Sequence, residues 1–298
     1  GDTLHFTDQS GITGSYDGAT GLLTLTGTAT LANYQTALRS ITFSSTSDDP
    51  TDNASATSRT LHWTVTDANS DAAGTQSSAD KTSTLTVIPA QDSPLMTAGG
   101  TLNYTENAAA AVIDASVAVL SDADDTQMAG ATVRLSAGFT TGDILAFTDH
   151  SGITGSYNAL TGVLTLSGNA TLANYTAALQ SVRFHSTSDD PTAISTSRTV
   201  TWQVTDANSD AAGAATSNTV TSTITLTPVN DAPTLTGTAT ASYTENGAAI
   251  PLFSGITVTD VDDTDIVSAS VSIDALGFLS GDTLHFTDQS GITGSYDG

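Results

Sequence analysis

Apolar residues fall at every second position in short runs along this chain: GVLTLSG at 162–168, RTVTWQVTD at 198–206 and STITLTP at 222–228. Glycine, asparagine and aspartate separate the runs. Period-two alternation turns one side of each segment toward a core and the other toward water, so the pattern predicts half-buried strands of a two-layer antiparallel sheet. One stretch departs from it. Leu172, Tyr175, Leu179 and Val182 fall at helical spacings, and Leu31, Tyr34, Leu38 and Ile41 repeat them, which predicts a short crossover helix at each place. The inward set on the later strands is Phe147, Tyr157, Leu164, Leu166, Phe184, Trp202 and Val204, enough for one sandwich core. Side chains of this kind are expected inside rather than as a ligand platform.

The pattern repeats at the scale of a domain. GDTLHFTDQSGITGSYDG at 1–18 recurs unchanged at 281–298, and a diverged copy, GDILAFTDHSGITGSYNA, starts at Gly142. Copies about 140 residues apart indicate beads on a string rather than a solenoid. The unchanged overlap predicts a parent protein that continues with further copies on both sides. Two short proline-bearing stretches, VIPAQDSPL at 87–95 and TPVNDAPTL at 227–235, follow threonine-rich alternating runs and read as stiffened joints. Residues 1–91 are then a partial repeat lacking its first strands, 92–230 a complete one, and 231–298 the first part of a third. The terminal pieces are expected to be edge-exposed or completed by neighbouring copies.

Composition narrows the chemistry. Among 298 residues, 31 acids face only six Lys and Arg, giving a net charge of −25. Lys81, Arg39, Arg59, Arg134, Arg183 and Arg198 form no basic stripe, which argues against nucleic acid and against an anionic membrane surface. No apolar run is long enough to insert in a membrane. Without cysteine there is neither a disulfide framework nor a thiolate metal site, so stapling falls to oxygen-ligand metals, packing or neighbouring repeats. The five histidines have no metal-ligand spacing and are assigned to surface or packing. No nucleophile elbow or equivalent scaffold supports a catalytic triad, and the chain is read as a non-enzyme. Only two of the acids, Glu106 and Glu245, are glutamates. Aspartate suits turns and compact oxygen cages, so the acids are expected in loops.

They gather at particular places. One set is the NYTENA glutamate Glu106, the SDADDTQ acids Asp122, Asp124 and Asp125, the AQDSP residue Asp92, and TDANSDAAG with Asp206, Asn208 and Asp210. The next repeat supplies Glu245 of SYTENGA, Asp260, Asp262, Asp263 and Asp265 of TDVDDTD, and the VNDAP pair Asn230 and Asp231. An early Glu-Asn, an Asp-x-Asp some way on, a late Thr-Asp-Ala-Asn and an Asn-Asp-Ala-Pro joint together resemble the calcium signposts of cadherins. More closely, the units resemble the cadherin-like tandem repeats of giant bacterial surface adhesins of the type I-secreted, RTX-adhesin kind, over essentially the whole chain.

That resemblance implies an all-β fold of tandem Ig/cadherin-like antiparallel β-sandwich domains, with Ca2+ bound between neighbours. It assigns Glu106, Asn230 and Asp231 from one domain, and Asp260 and Asp262 from the next, to one joint. The joint near Gln91 would draw on Asp92, Asp122, Asp124 and Asp206, while Glu245 repeats the role of Glu106 one domain on. Two departures stand out. Gln91 replaces the joint Asn, and the family's acidic motif between the later strands has only Asp189 and Asp190 of SDDP as substitutes. Independently of any family, Ca2+ takes roughly six to eight oxygens at about 2.4 Å from carboxylates, amides and backbone carbonyls, and Asp-x-Asp presents two such groups together. The bland reading is that these acids make Asx turns and solvate the surface.

The functional expectation is a calcium-rigidified structural stalk of a large extracellular bacterial adhesin or cell-surface fibre, supporting adhesion or biofilm formation, with neighbouring repeats as partners. Two rivals are a self-assembling filament or layer protein, in which 231–298 of one copy completes 1–91 of another, and a glycan- or protein-binding module using the GDxLxF and SGITGSY loops.

Overall fold

Nineteen strands and two helices make up the computed structural model, which describes residues 1–297. By backbone contacts the chain divides into two compact units, 1–227 and 228–298. In the first, residues 1–91 form β1 (Asp2–His5), β2 (Thr13–Asp17), β3 (Leu22–Thr26), α1 (Leu31–Arg39), β4 (Thr42–Ser45), β5 (Ser58–Trp63) and β6 (Lys81–Thr86). They pair as three separate antiparallel ribbons, β1–β4, β2–β3 and β5–β6.

From Leu95 onward the same unit holds a closed sandwich. Its elements are β7 (Leu95–Thr97), β8 (Thr101–Thr105), β9 (Ala111–Val112), β10 (Ala118–Ser121), β11 (Gln127–Ala137), β12 (Asp143–Ala146), β13 (Thr154–Asn158), β14 (Val163–Thr171), α2 (Leu172–Ser181), β15 (Arg183–Ser186), β16 (Ser197–Asp206) and β17 (Val220–Thr227). Six strands make one sheet in the order β13-β14-β11-β16-β17-β8, and β12-β15-β9 make the second. β7 and β10 pair with each other.

The alternation read in the sequence sets the faces. Val200, Trp202 and Val204 on β16, Leu164 and Leu166 on β14, and Val133 on β11 are all buried. Across the gap they meet Leu145 and Phe184 of the smaller sheet. Tyr104 of β8 stands edge-on to Phe184, ring centroids 5.1 Å apart, which ties the two layers through their quadrupoles as well as their area. Phe147 and Tyr157, expected in the core, are only partly buried at its margin. Tyr157 spends its hydroxyl on the Asp143 carbonyl at 2.7 Å, so a polar tip holds it at the rim.

Both helices form where the spacing predicts. Thr171 caps α2 by accepting from the Asn174 N–H at 3.2 Å, and Thr30 caps α1 through Asn33 in the same way. Tyr175 and Leu179 are buried, and Val182 seals the helix end. Just upstream, Gly168 adopts φ +135°, and a Cβ there would lie 2.2 Å from the Gly152 carbonyl oxygen. Only glycine fits that crossing of the SGITGS turn.

One expectation is corrected. The sheet is not wholly antiparallel, because β8 runs parallel to β17, from Thr101 beside Thr223 to Thr105 beside Thr227. The rest of β8's repeat must pass between the two, which a hairpin cannot do.

Among its described residues the second unit forms one ribbon, β18 (Thr234–Thr236) with β19 (Thr257–Thr259), antiparallel like β7 with β10 but without the bulge between Val119 and Ser121.

Candidate metal centre at the Gln91 joint

Chain entry into the sandwich and the far end of β16 meet where Gln91 bonds Asp206. The SDADDTQ loop follows β10 and folds as an Asx turn: the N–H groups of Asp124 and Asp125 both donate to Asp122 Oδ1, at 3.3 and 3.0 Å. That turn brings carboxylate oxygens of Asp122, Asp124 and Asp125 within 4.8 Å of one another. Asp124 and Asp125 are buried. Two full charges at that separation repel by about 3.5 kcal/mol at an effective dielectric of about 20. Burial first, and then the hydrogen bond with Asp124, push the Asp122 carboxyl up to about 7.

The joint itself closes over this loop. The Asp92 N–H donates to Asp124 Oδ2 at 2.9 Å. Gln91 uses its amide nitrogen twice, donating to the Asp92 carbonyl at 2.5 Å and to Asp206 Oδ2 at 2.9 Å. Its Oε1 is buried with no hydrogen-bond partner, as are Asp122 Oδ2, Asp124 Oδ1, Asp125 Oδ2 and Asp210 Oδ2. The sequence departure at Gln91 thus keeps a carboxamide oxygen at the position.

The late TDANSDAAG loop reaches the same end of the sandwich, bonded to Gln91 through Asp206 and to Asp125 through Ser209. Asp206 is fully buried at the end of β16 and accepts from the Ala215 N–H at 2.8 Å and the Asn208 N–H at 3.3 Å. Burial and then the charges of Asp125 and Asp124 raise its pKa despite those donors. Asp210 is also fully buried, and Ser209 donates from its backbone N–H, at 2.5 Å, and from its hydroxyl to Asp125 Oδ1. Asp92 is raised by loss of solvent and then by the charges of Asp124, Asp48 and Asp210.

Asp48 lies on the loop between β4 and β5. Arg59 ties that loop down: its guanidinium donates to the carbonyls of Pro50 and Ala56, each at 2.6 Å, and to Asp2 at 2.5 Å. The charge of Asp48 acts on Asp92 together with those of Asp124 and Asp210.

Of the residues proposed from sequence for this joint, Asp92, Asp122, Asp124 and Asp206 are brought together. Asp125 and Asp210 are buried in the same cluster and carry orphaned oxygens, although sequence reasoning counted them among the acids without placing them at the joint. Asp48 was represented only by its repeat equivalents Asp189 and Asp190. Aligning TSDDP at 46–50 with TSDDP at 187–191 is the signal that finds it.

Glu106 lies elsewhere. It is buried just beyond β8, its N–H donating to the Thr227 carbonyl at 2.9 Å, at the opposite end of the sandwich from Asp206. The second unit repeats the joint geometry with its own residues. Asp262 and Asp263 N–H groups donate to Asp260 Oδ1 at 3.2 and 3.0 Å, and the Asp231 N–H donates to Asp262 Oδ2 at 3.1 Å. Asn230 Nδ2 donates to the Asp231 carbonyl at 2.7 Å, as Gln91 does to Asp92. Asp260, Asp262 and Asp263 again hold carboxylate oxygens within 4.8 Å of one another. Glu245 is exposed on the turn after Tyr243.

These residues fit a hard divalent cation. The donors are all oxygen, mix carboxylate with carboxamide, and include several buried atoms that nothing else in the protein satisfies.

No family model matches the chain, and no curated protein matches it. Solved structures similar to it include protocadherin extracellular domains. The protocadherin γB4 extracellular domain aligns over 88% of this chain at 15% identity with a TM-score of 0.27, and the chain spans 35% of that protein's length. Protocadherin γC5 EC1-3 aligns over 88% of the chain and 67% of its own length, at 13% identity and a TM-score of 0.25. Mouse clustered PcdhgC3 EC1-3 aligns over 76% of the chain and 55% of its own, at 13% identity and 0.24. Likeness at this level carries no argument about activity or partners; the all-β sandwich rests on the strand pairing and the core.

Proposed function

We propose that the chain is a segment of an extracellular, calcium-rigidified stalk, in a large bacterial surface adhesin or fibre, built from cadherin-like repeats at 1–91, 92–230 and 231–298. Its work is mechanical rather than catalytic: it holds a distal binding part away from the cell. The observation that carries this reading is the set of buried, unsatisfied oxygens at Gln91, Asp122, Asp124, Asp125 and Asp210.

Gln91, Asp92, Asp122, Asp124, Asp125, Asp206 and Asp210 would hold Ca2+ there, and Glu106, Asn230, Asp231, Asp260 and Asp262 would serve the following joint, with Glu245 starting another. The ion supplies positive charge where several carboxylates otherwise repel. The protein's part is to fix the oxygens through the Asx turn, the Gln91 amide and the Ser209 donors. Removing the ion leaves like charges on both sides of a proline-bearing hinge, and the repeats swing. Extracellular calcium modules have dissociation constants of about 10⁻⁴ to 10⁻³ M, suited to a protein outside the cell.

Small-angle scattering of the chain in millimolar calcium and then in chelator tests the strut. The expected result is a longer, narrower distance distribution with calcium. Identical curves in the two conditions refute it.

A further inference from the structure

In a chain of net charge −25, the outward face of the six-stranded sheet carries no carboxylate. Its outward positions, given by the alternating burial of the strands, are almost all threonine, serine, asparagine and glutamine, and the one charged residue among them is Arg134 of β11. Arg134 is exposed, and no carboxylate pairs with it among the described residues. An anion that approaches the chain elsewhere meets the repulsion of its 31 acids; on this face it meets an uncommitted guanidinium.

Strand pairing sets the neighbours of that guanidinium in two rows. Arg134 lies opposite Val163 of β14, and Val163 opposite Asn158 of β13; one row on, Thr132, Thr165 and Ser156 line up in the same way. The ends of each row are two strand spacings apart, about 9.5 Å. Arg134, Ser156, Asn158, Thr161, Val163 and Thr165 line an open concavity of about 550 Å³, within the size range of small-molecule sites. Asn158 Oδ1 accepts from the Leu160 N–H at 2.9 Å, which fixes the carboxamide and leaves Nδ2 to donate.

This lining has a definite chemistry. It offers a planar fork for a carboxylate, three hydroxyls and an amide N–H for ligand hydroxyls, and one apolar side chain, Val163, for the C–H face of a ring. It holds no aromatic or deep apolar pocket for a peptide side chain. The other copies of the motif change both polar ends. DDTDIVSASVSIDA at 262–275 aligns with DDTQMAGATVRLSA at 124–137 and puts Ser272 at the place of Arg134, while Asp17 and Asp297 stand at that of Asn158. A cation facing a neutral amide is therefore peculiar to the middle copy.

We infer that this face binds an acidic saccharide, its carboxylate held by the Arg134 guanidinium and its ring hydroxyls by Asn158, Ser156 and Thr165. The site is separate from the Gln91 joint and does not depend on the calcium reading.

Two-dimensional amide NMR of the chain in calcium, titrated with trigalacturonate, tests it. Amides of Arg134, Ser156, Asn158 and Thr165 are expected to shift together and saturate. The methyl ester of the same trisaccharide, which keeps the hydroxyls and loses the charge, is expected to bind about tenfold more weakly. R134S, which copies Ser272, should lose about tenfold as well, and R134K should fall between it and the parent because a point charge replaces a fork. N158D keeps the turn, since Asp17 holds the Ala19 N–H at 2.9 Å as Asn158 holds that of Leu160, and should weaken binding about tenfold by setting a negative charge in the concavity. Equal affinity for the acid and its ester overturns the proposal. So does unchanged binding by R134S and N158D, the result if calcium bridges the sugar to acids elsewhere, and so does a triglutamate peptide that binds as tightly at the same residues.

Discussion

Asp143→Asn and Asp2→Asn remove the same hydrogen bond from two copies of one motif, and the structure assigns them very different costs. Arg198 and Asp143 are both 0% exposed, with Nε 2.6 Å from Oδ2. Arg198 also donates to the carbonyls of Pro191 at 2.7 Å and Ser195 at 2.8 Å, and Asp143 accepts from the Thr140 N–H at 2.9 Å. Neutralising Asp143 strands a guanidinium inside the sandwich, where breaking one half of a buried pair costs about 3–5 kcal/mol. In residues 1–91 the pair Arg59–Asp2 is 25% and 34% exposed, and water can take over, so about 0–1 kcal/mol is expected. Calorimetric or urea unfolding of the two variants measures both. For a domain of this size the Asp143 change should lower Tm by about 10–20 °C, and the Asp2 change by only a few degrees. Equal shifts, or a loss under about 1 kcal/mol at Asp143, would show that burial does not set the strength of this contact. The consequence reaches the joint, because these arginines pin the loops that bear Asp48 and Asp189.

Calcium at about ten to a hundred times its dissociation constant should stabilise the sandwich by about 1.4–2.7 kcal/mol, read as an upward thermal shift that Asp124→Asn or Asp210→Asn abolishes. Magnesium or sodium producing the same shift would contradict an oxygen cage of calcium size. Burial alone would raise the Asp114 carboxyl, but Ser116, Ser222 and the N–H groups of Gly99 and Gly100 hold it far below its ordinary 3.8. Its stabilising contribution is therefore complete above about pH 4 and is lost as pH falls below that value; Asp114→Asn should flatten the acid limb of stability against pH. Gly168→Ala should cost about 1–3 kcal/mol or more, since its Cβ has no room against Gly152, and a silent substitution in a denaturation curve would contradict the geometry.

Much of this architecture is legible in the sequence because its causes are local. Alternation in RTVTWQVTD fixes which side of β16 is buried, and Thr171 with the Leu172–Tyr175–Leu179 spacing fixes α2. The Asp-x-Asp turn is equally local, since Asp122 binds its own next residues. What could not be read is set by chain trajectory. The direction of β8 follows from where the repeat's first and last strands meet, over a hundred residues apart. The burial of Asp210, and the approach of Asp48 to Asp92, likewise depend on how distant loops stack at one end. Gln91 looked like a loss because residue type was compared without orientation: its longer side chain gives the amide to Asp206 and leaves the oxygen buried.

The parallel course of β8 and β17 sets how a repeat responds to being pulled. A pull applied at the Gln91 side would reach the sheet at Thr101, and one applied beyond Thr227 would act at the other end of the same strand pair. The two strands are drawn past each other lengthwise, so their backbone bonds share the force in shear and must give way together rather than peel open one at a time.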